Sequence, residues 1–161
     1  MGMSSSKPGN DPTCRAHTLA DRYTRGRVRS TGEVLTYLRR QVVSSSTAAR
    51  VIAASRARGL LDDHACARLW ADHWARRGYA WSAIRAKLAA KGLAEDVIEA
   101  MLRRLAADVT DEDRARALVA SSLRRRGPRP VDVRSAARTL QARGFDEEVI
   151  ARALHGLLND A

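Results

Sequence analysis

The residues of this chain that could perform chemistry directly are few and scattered. None of the histidines forms an i, i+4 pair with another histidine or with a cysteine, and there is no CxxC, so a metal site is not expected; the residues in question are His17, His64, His73, His155, Cys14 and Cys66. The sequence also lacks GxxxxGK[ST], HExxH, GxSxG and GxGxxG motifs. We therefore expect a protein that is not an enzyme, with no catalytic residue, no metal and no cofactor.

Paired acidic residues occur at two places where a helix is predicted to begin. Asp62 and Asp63 precede one apolar helical stripe, and Asp111 precedes a similar one. Carboxylates at such positions could be metal ligands, but they are also preferred helix caps. We interpret both sites as caps.

The sequence has a large excess of basic over acidic residues. Lys and Arg total 29 against 18 Asp and Glu, so the formal net charge is 29 − 18 = +11. Such an excess predicts a polyanionic partner, namely DNA, RNA, an acidic protein groove or an anionic membrane, although codon preference for Arg and Ala is an alternative explanation. The candidate binding residues recur at helix ends and along predicted second helices, and they are Arg76, Arg77, Arg85, Lys87, Lys91, Arg124, Arg125 and Arg126. A solvated helix face with favourable dipole contacts is the simpler reading of the same residues.

An internal repeat indicates the elements that must position these side chains. Residues 88–102 and 140–154 align at an offset of 52 with seven of fifteen pairs identical. Upstream, an offset of 49 pairs Asp62 with Asp111 and Leu69 with Leu118, and the "PRP" stretch after Gly127 accounts for the difference. Each copy reads as three helices with apolar residues at helical spacing, including a first-helix stripe of Cys66, Leu69, Trp70 and Trp74.

A third and more degenerate copy precedes these two. It has second-helix and third-helix segments at Ser30–Gln41 and Ser46–Leu61, and "QVVSSS" replaces the glycine of the middle turn. The prediction is an all-α protein of three tandem three-helix repeats forming an elongated, curved array. Residues 1–13 are expected to be a disordered leader, followed by modules at residues 14–60, 61–108 and 109–159.

The stretches "RGLLDD" and "ARLWADHWARRGYAWSAIRAKLAAKGL", followed by an acidic turn and a Val-Ile helix, resemble the RecX family of bacterial recombinase regulators. The similarity covers Tyr23 to Leu158. The resemblance implies the same three tandem repeats and a partner, the RecA filament on single-stranded DNA, whose ATPase and strand exchange such proteins restrain. The chain departs from the family at Cys66, where Phe is common, and at Ala80-Trp81, where Gly-Pro is common.

The leading hypothesis is therefore a regulatory protein that binds the RecA filament, contacting DNA directly or through the filament, in DNA repair, homologous recombination and the SOS response. The alternative is a general basic DNA-binding protein that coats or sequesters DNA. Groove reading by a helix-turn-helix is disfavoured because the third helices begin with acidic residues. We expect a cytoplasmic monomer that does not bind membranes, since no apolar segment is long enough to span one.

Overall fold

A computed structural model describes residues 11–126 and 132–159. This described part is all-α and contains nine helices and no strand. The helices are α1 (Pro12–Thr24), α2 (Thr31–Arg40), α3 (Ser45–Ala57), α4 (Asp63–Arg76), α5 (Trp81–Ala90), α6 (Glu95–Ala106), α7 (Asp111–Arg126), α8 (Val133–Ala142) and α9 (Glu147–Asn159). The predicted all-α fold of three-helix repeats is confirmed, and we refer to α1–α3, α4–α6 and α7–α9 as modules 1, 2 and 3. The first ten residues of the expected leader lie outside the described residues, and α1 begins at Pro12.

The described residues form two compact units. Unit 1 takes in the described residues up to Ala67 together with Lys91–Leu93, and unit 2 takes in Arg68–Ala90 and the described residues from Ala94 onward. In unit 1, α1, α2 and α3 pack on one another, and the rings of Tyr23 and Tyr37 stack with centroids 4.2 Å apart. The core of unit 1 consists of Ala16, Ala20, Val34, Leu38, Ala48, Val51, Ile52 and Leu61.

Unit 2 has its own core, in which α5 packs on α6 and α9 packs on both α7 and α8. The buried residues of α5 and α6 repeat in α8 and α9, as the sequence repeat predicts: Ile84 and Leu88 lie on one second helix, and Leu140 lies on the other. Part of this core consists of Ala80, Ala115, Val119, Leu140, Phe145, Ile150, Ala153 and Leu154. The apolar periodicity of the sequence therefore corresponds to real buried faces.

The first helices of the modules share a register that differs by one residue from the predicted one. The fifth and ninth residues of each helix are buried, which aligns Ala16, Ala67 and Ala115, and likewise Ala20, Ala71 and Val119. Asp111 therefore corresponds to Asp63 at an offset of 48, and not to Asp62 at 49. Leu69, placed on the apolar stripe from the sequence, is instead 50% exposed. The prediction failed because it aligned the terminal glycines, whereas α7 is two residues longer than α4.

The acidic pairs cap helices, but not in the way that their position suggests. Asp62 accepts the backbone N–H of Ala65 at 2.9 Å and so caps its own helix, α4. Asp63 instead accepts the N–H of Thr31 at the start of α2, with N···O 2.7 Å. Asp111 accepts the N–H of Trp81 at the start of α5, at 3.0 Å, while Thr110 caps α7 through the N–H of Asp113. In modules 2 and 3, one acid of the first helix thus satisfies a backbone N–H at the start of another helix.

Candidate partner-binding surface

The C-terminal half of α4 presents a basic face in unit 2. Leu69, Asp72, His73, Arg76 and Arg77 line a surface depression of about 370 Å³. The first four lie at i, i+3, i+4 and i+7 on α4, so one helix aligns them, and Arg77 follows directly after the helix. Arg76 and Arg77 are exposed, and neither forms an ion pair with any described residue. The depression therefore offers two arginines outside any described ion pair to an anionic partner, beside one acidic side chain, Asp72.

The end of α4 is fixed by a glycine turn. Gly78 has φ +75°, and the N–H of Tyr79 donates to the carbonyl of Trp74 at 3.2 Å while the N–H of Gly78 donates to that of Ala75 at 2.9 Å. This is the hydrogen-bond pattern of a Schellman motif, which requires a left-handed residue after the helix. The turn places Arg76 and Arg77 at the negative end of the helix dipole, where cations are favoured.

Tyr79, the residue after this glycine, gathers two further cations from different helices. Lys87 of α5 lies with Nζ 4.5 Å from the ring centroid, and Arg143, which follows α8, lies with Cζ 4.6 Å from it. Arg143 also donates from Nη1 to the carbonyl of Arg77 at 2.7 Å. We call Arg76, Arg77, Lys87 and Arg143 the Tyr79 basic cluster. The Tyr79 ring holds Lys87 and Arg143 in place without neutralising them, and Arg143 is fixed further by its hydrogen bond to the backbone of Arg77.

Arg143 was missed as a site residue. The sequence did indicate it, because Arg143 aligns with Lys91 at the offset of 52, so both copies of the repeat have a basic residue at this position. The structure separates the roles of these two residues. Lys91 belongs to unit 1, where its Nζ lies 3.0 Å from Glu33 Oε1 and its side chain is only 16% exposed. Lys91 thus contributes to packing within unit 1, and it lies outside the Tyr79 basic cluster.

The other predicted binding residues are placed as follows. Arg85 pairs with Glu95 and, at 3.2 Å, with Glu99, so much of its charge is offset within its own module. Arg124 is exposed near the end of α7. The side chains of Arg125 and Arg126 lie outside the described residues, although both residues are helical. Of the eight predicted residues, the structure brings together Arg76, Arg77 and Lys87.

A partly buried arginine supports the loop that carries Tyr79. The Arg114 guanidinium lies 3.9 Å from the centroid of the Trp81 ring and donates to the carbonyls of Tyr79 and Ala75. Burial raises the pKa of the neighbouring Asp111 carboxyl and lowers the pKa of Arg114. Trp81, one of the departures from the family pattern, donates from Nε1 to the carbonyl of Val109 at 3.1 Å. These contacts anchor the loop from both sides.

Neither a metal site nor a membrane-spanning helix is found in the described ranges. Across residues 11–126 and 132–159, no cluster of three or more His, Cys, Asp or Glu side chains could hold a metal ion. The helices in the same ranges are all too short or too polar to cross a membrane.

The fold and the surface define, over the described residues, an all-helical repeat protein with a basic cluster whose members are exposed or partly exposed. Residues 62–102 match the family model for RecX, second three-helix domain. The chain is 34% identical over 158 residues to proteins named Regulatory protein RecX from two strains of Lactobacillus delbrueckii subsp. bulgaricus. The alignment covers 94% of this chain but 56% of each relative, so the chain spans little more than half of their length. These matches confirm the resemblance to the RecX family.

Solved structures agree on the fold. The crystal structure of RecX from Lactobacillus salivarius superposes with a TM-score of 0.72 at 18% identity, covering 91% of this chain and 97% of that one. A second crystal structure, of regulatory protein RecX, gives a TM-score of 0.67 at 20% identity, covering 94% of this chain and 73% of that one. At this level of identity the likeness concerns the fold.

Proposed function

We propose that this protein is a regulatory binding protein that restrains the RecA recombinase by binding the RecA filament on single-stranded DNA. The observation that carries the proposal is the Tyr79 basic cluster, three of whose residues lie in the segment that matches the second three-helix domain of RecX. The matching relatives are named regulatory proteins. We also propose that the modules span residues 14–60, 61–108 and 109–159, and that the protein acts as a cytoplasmic monomer.

The proposed function requires only electrostatic contacts and hydrogen bonds, and no covalent bond is formed or broken. Arg76 and Arg77 offer planar guanidinium groups that can bind phosphates or carboxylates with two hydrogen bonds each. Lys87 and Arg143 add positive charge beside them from two other elements. Several such contacts made at once would give an affinity that falls steeply with salt. A filament so occupied would lose the freedom to change conformation during ATP hydrolysis, which is how binding alone could restrain it.

A charge reversal tests this surface. In R76E/R77E we expect the concentration for half-inhibition of RecA ATPase to rise roughly tenfold or more, because like charges would then face each other across the interface. The matched control is R103E/R104E, which reverses two exposed arginines at the end of α6 and gives the same net charge, 11 − 4 = +7. Equal loss in both variants would contradict a localised surface and would indicate that only net charge matters.

A further inference from the structure

The surface depression on α4 contains an apolar side chain that a purely electrostatic site would not need. The residues that line it are Leu69, Asp72, His73, Arg76 and Arg77, and we call it the basic depression. Leu69 is 50% exposed, the largest exposed fraction of any leucine whose side chain is described. Single exposed leucines are common at protein surfaces, but this one lies four residues before His73 and seven before Arg76, on the same face of one helix. The basic depression therefore offers an apolar contact and two guanidinium groups together.

Asp72 favours a protein partner over DNA. Its carboxylate belongs to no ion pair among the described residues, even with Arg76 four residues further along α4. A carboxylate accepts hydrogen bonds and cannot donate them. The backbone of a DNA strand carries a negative charge at each phosphate and offers no hydrogen-bond donor, so Asp72 would repel it. A peptide has backbone N–H groups that Asp72 can accept, so one acid beside two arginines fits a peptide better.

The aromatic rings of unit 2 are not arranged as a platform for stacking bases. Proteins bind single-stranded nucleic acid partly by stacking its bases on open aromatic faces. Here Nζ of Lys87 lies over the rings of Trp74 and Tyr79, at 5.8 and 4.5 Å from their centroids. Arg143 also lies over Tyr79, and Trp74 packs on Trp70 with centroids 5.4 Å apart. Because these rings already contact cations or another ring, they are less open to a base.

The segments of the given sequence outside the described ranges do not supply an acidic occupant. Residues 1–10, 127–131 and 160–161 contain one acid, Asp160, against the basic residues Lys7 and Arg129. Modules 1 and 3, which adjoin module 2 in sequence on either side, are described, and they leave Leu69, Arg76 and Arg77 exposed. A segment with carboxylates is instead expected from another protein, which the net charge of +11 would attract.

We propose that the basic depression binds a protein segment in which an apolar side chain is flanked by carboxylates. The apolar side chain packs on Leu69, and the carboxylates pair with the guanidinium groups of Arg76 and Arg77, which can each make two parallel hydrogen bonds. The apolar contact discriminates against a nucleic-acid backbone, which has no group to place there. As an account of how a filament is recognised, this inference rests on the proposed function, and it assigns the surface to the protein of the filament and not to its DNA.

Three fluorescein-labelled probes of equal negative charge test the proposal without a recombinase. They are a glutamate-rich peptide that contains leucines, the same peptide with serine in place of each leucine, and an oligothymidine. By fluorescence anisotropy at one salt concentration, we expect the full chain to bind the leucine peptide at least about fivefold more tightly than either other probe, because only that peptide can bury apolar surface on Leu69. In Leu69→Gln and in Leu69→Ala the preference should fall below about twofold. R76E/R77E should bind the leucine peptide roughly tenfold more weakly.

The matched control is Leu60→Gln, which replaces a leucine of similar exposure, 45%, after α3 and should keep the preference. Circular dichroism checks that each variant is folded. The proposal is overturned if the wild type shows no preference for the leucine peptide, or binds oligothymidine more tightly, which would assign the surface to DNA. It is also overturned if Leu69→Gln keeps the preference or if Leu60→Gln loses it equally. The expected preference in a protein that left RecA ATPase unchanged would support this ligand for the basic depression and contradict the proposed function.

Discussion

At the scale of single residues, the thiol of Cys66 occupies an unusual environment. Its side chain is fully buried, and burial together with the negative charge of Glu33 raises the pKa of the thiol to about 11 from its usual 9.0. Because the folded-state pKa is the higher one, the thiol favours the folded state fully below pH 9.0. This contribution to the free energy of unfolding is lost as the pH rises through about 11. Cys14, in contrast, is exposed. The two cysteines should therefore differ strongly in reactivity.

We expect a thiol reagent at pH 8 to modify Cys14 quickly and Cys66 only as fast as the protein unfolds. A pKa two units higher leaves about a hundredfold less thiolate, and burial denies the reagent access as well. Spectroscopic counting of released thiolate should give one rapid equivalent in the native protein and two in denaturant. C14S should retain only the slow phase. Two thiols that react at one rate under native conditions would contradict the buried placement of Cys66.

At the scale of residues, the sequence predicted that the acids at the helix starts are caps, but it did not predict which helices Asp63 and Asp111 cap. The acids at the helix starts were recognised as caps, because Asp at such a position has few other structural roles. That Asp63 and Asp111 cap α2 and α5 could not be predicted, since their partners lie 32 and 30 residues away. Arg85 was predicted as a binding residue, and its neutralisation by Glu95 and Glu99 depends on how α5 packs on α6.

At the scale of elements, the hydrogen bonds that Asp63 and Asp111 accept at the starts of α2 and α5 should contribute measurably to stability. We expect Asp63→Ala to lower the free energy of unfolding by about 1–2 kcal/mol, as for the loss of a helix cap. The effect of Asp111→Ala should be smaller, because burial raises the pKa of Asp111 and so already opposes its ionised form. Urea denaturation at pH 7 measures both values.

The control for these two variants is Asp108→Ala, which removes an exposed carboxylate of the same charge between α6 and α7. It should change the free energy of unfolding by less than about 0.5 kcal/mol, as surface substitutions usually do. If Asp63→Ala proved no more destabilising than Asp108→Ala, the hydrogen bond to Thr31 would not be a cap of consequence.

Most of the helices could be predicted because the local signals agree. In modules 2 and 3, helical apolar spacing coincides with the glycines that follow α4, α5 and α8. Even the degenerate second helix of module 1 forms as α2, with a Ser30–Glu33 capping box. The register of the first helices was wrong because a difference in helix length is invisible when only the ends are aligned. The same one-residue error placed Leu69 on the buried stripe. In the structure Leu69 is half exposed, and its apolar side chain lines the basic depression.

At the scale of the whole molecule, net charge was readable from the sequence but its distribution was not. The excess of +11 predicted an anionic partner, yet which cations remain unpaired depends on contacts such as Lys91 with Glu33, which are 58 residues apart. The Tyr79 basic cluster likewise joins α4, α5 and the end of α8. Such surfaces arise from tertiary packing, so composition can indicate the class of partner without locating the site.

The proposed function requires that this protein act on the RecA filament and not on DNA alone. The most direct measurement is the ATPase rate of RecA on single-stranded DNA, titrated with this protein at two DNA concentrations. We predict suppression at substoichiometric protein that extra DNA leaves unchanged, because the bound species is the filament. Suppression that extra DNA abolishes would contradict the claim and would show a protein that acts by covering DNA.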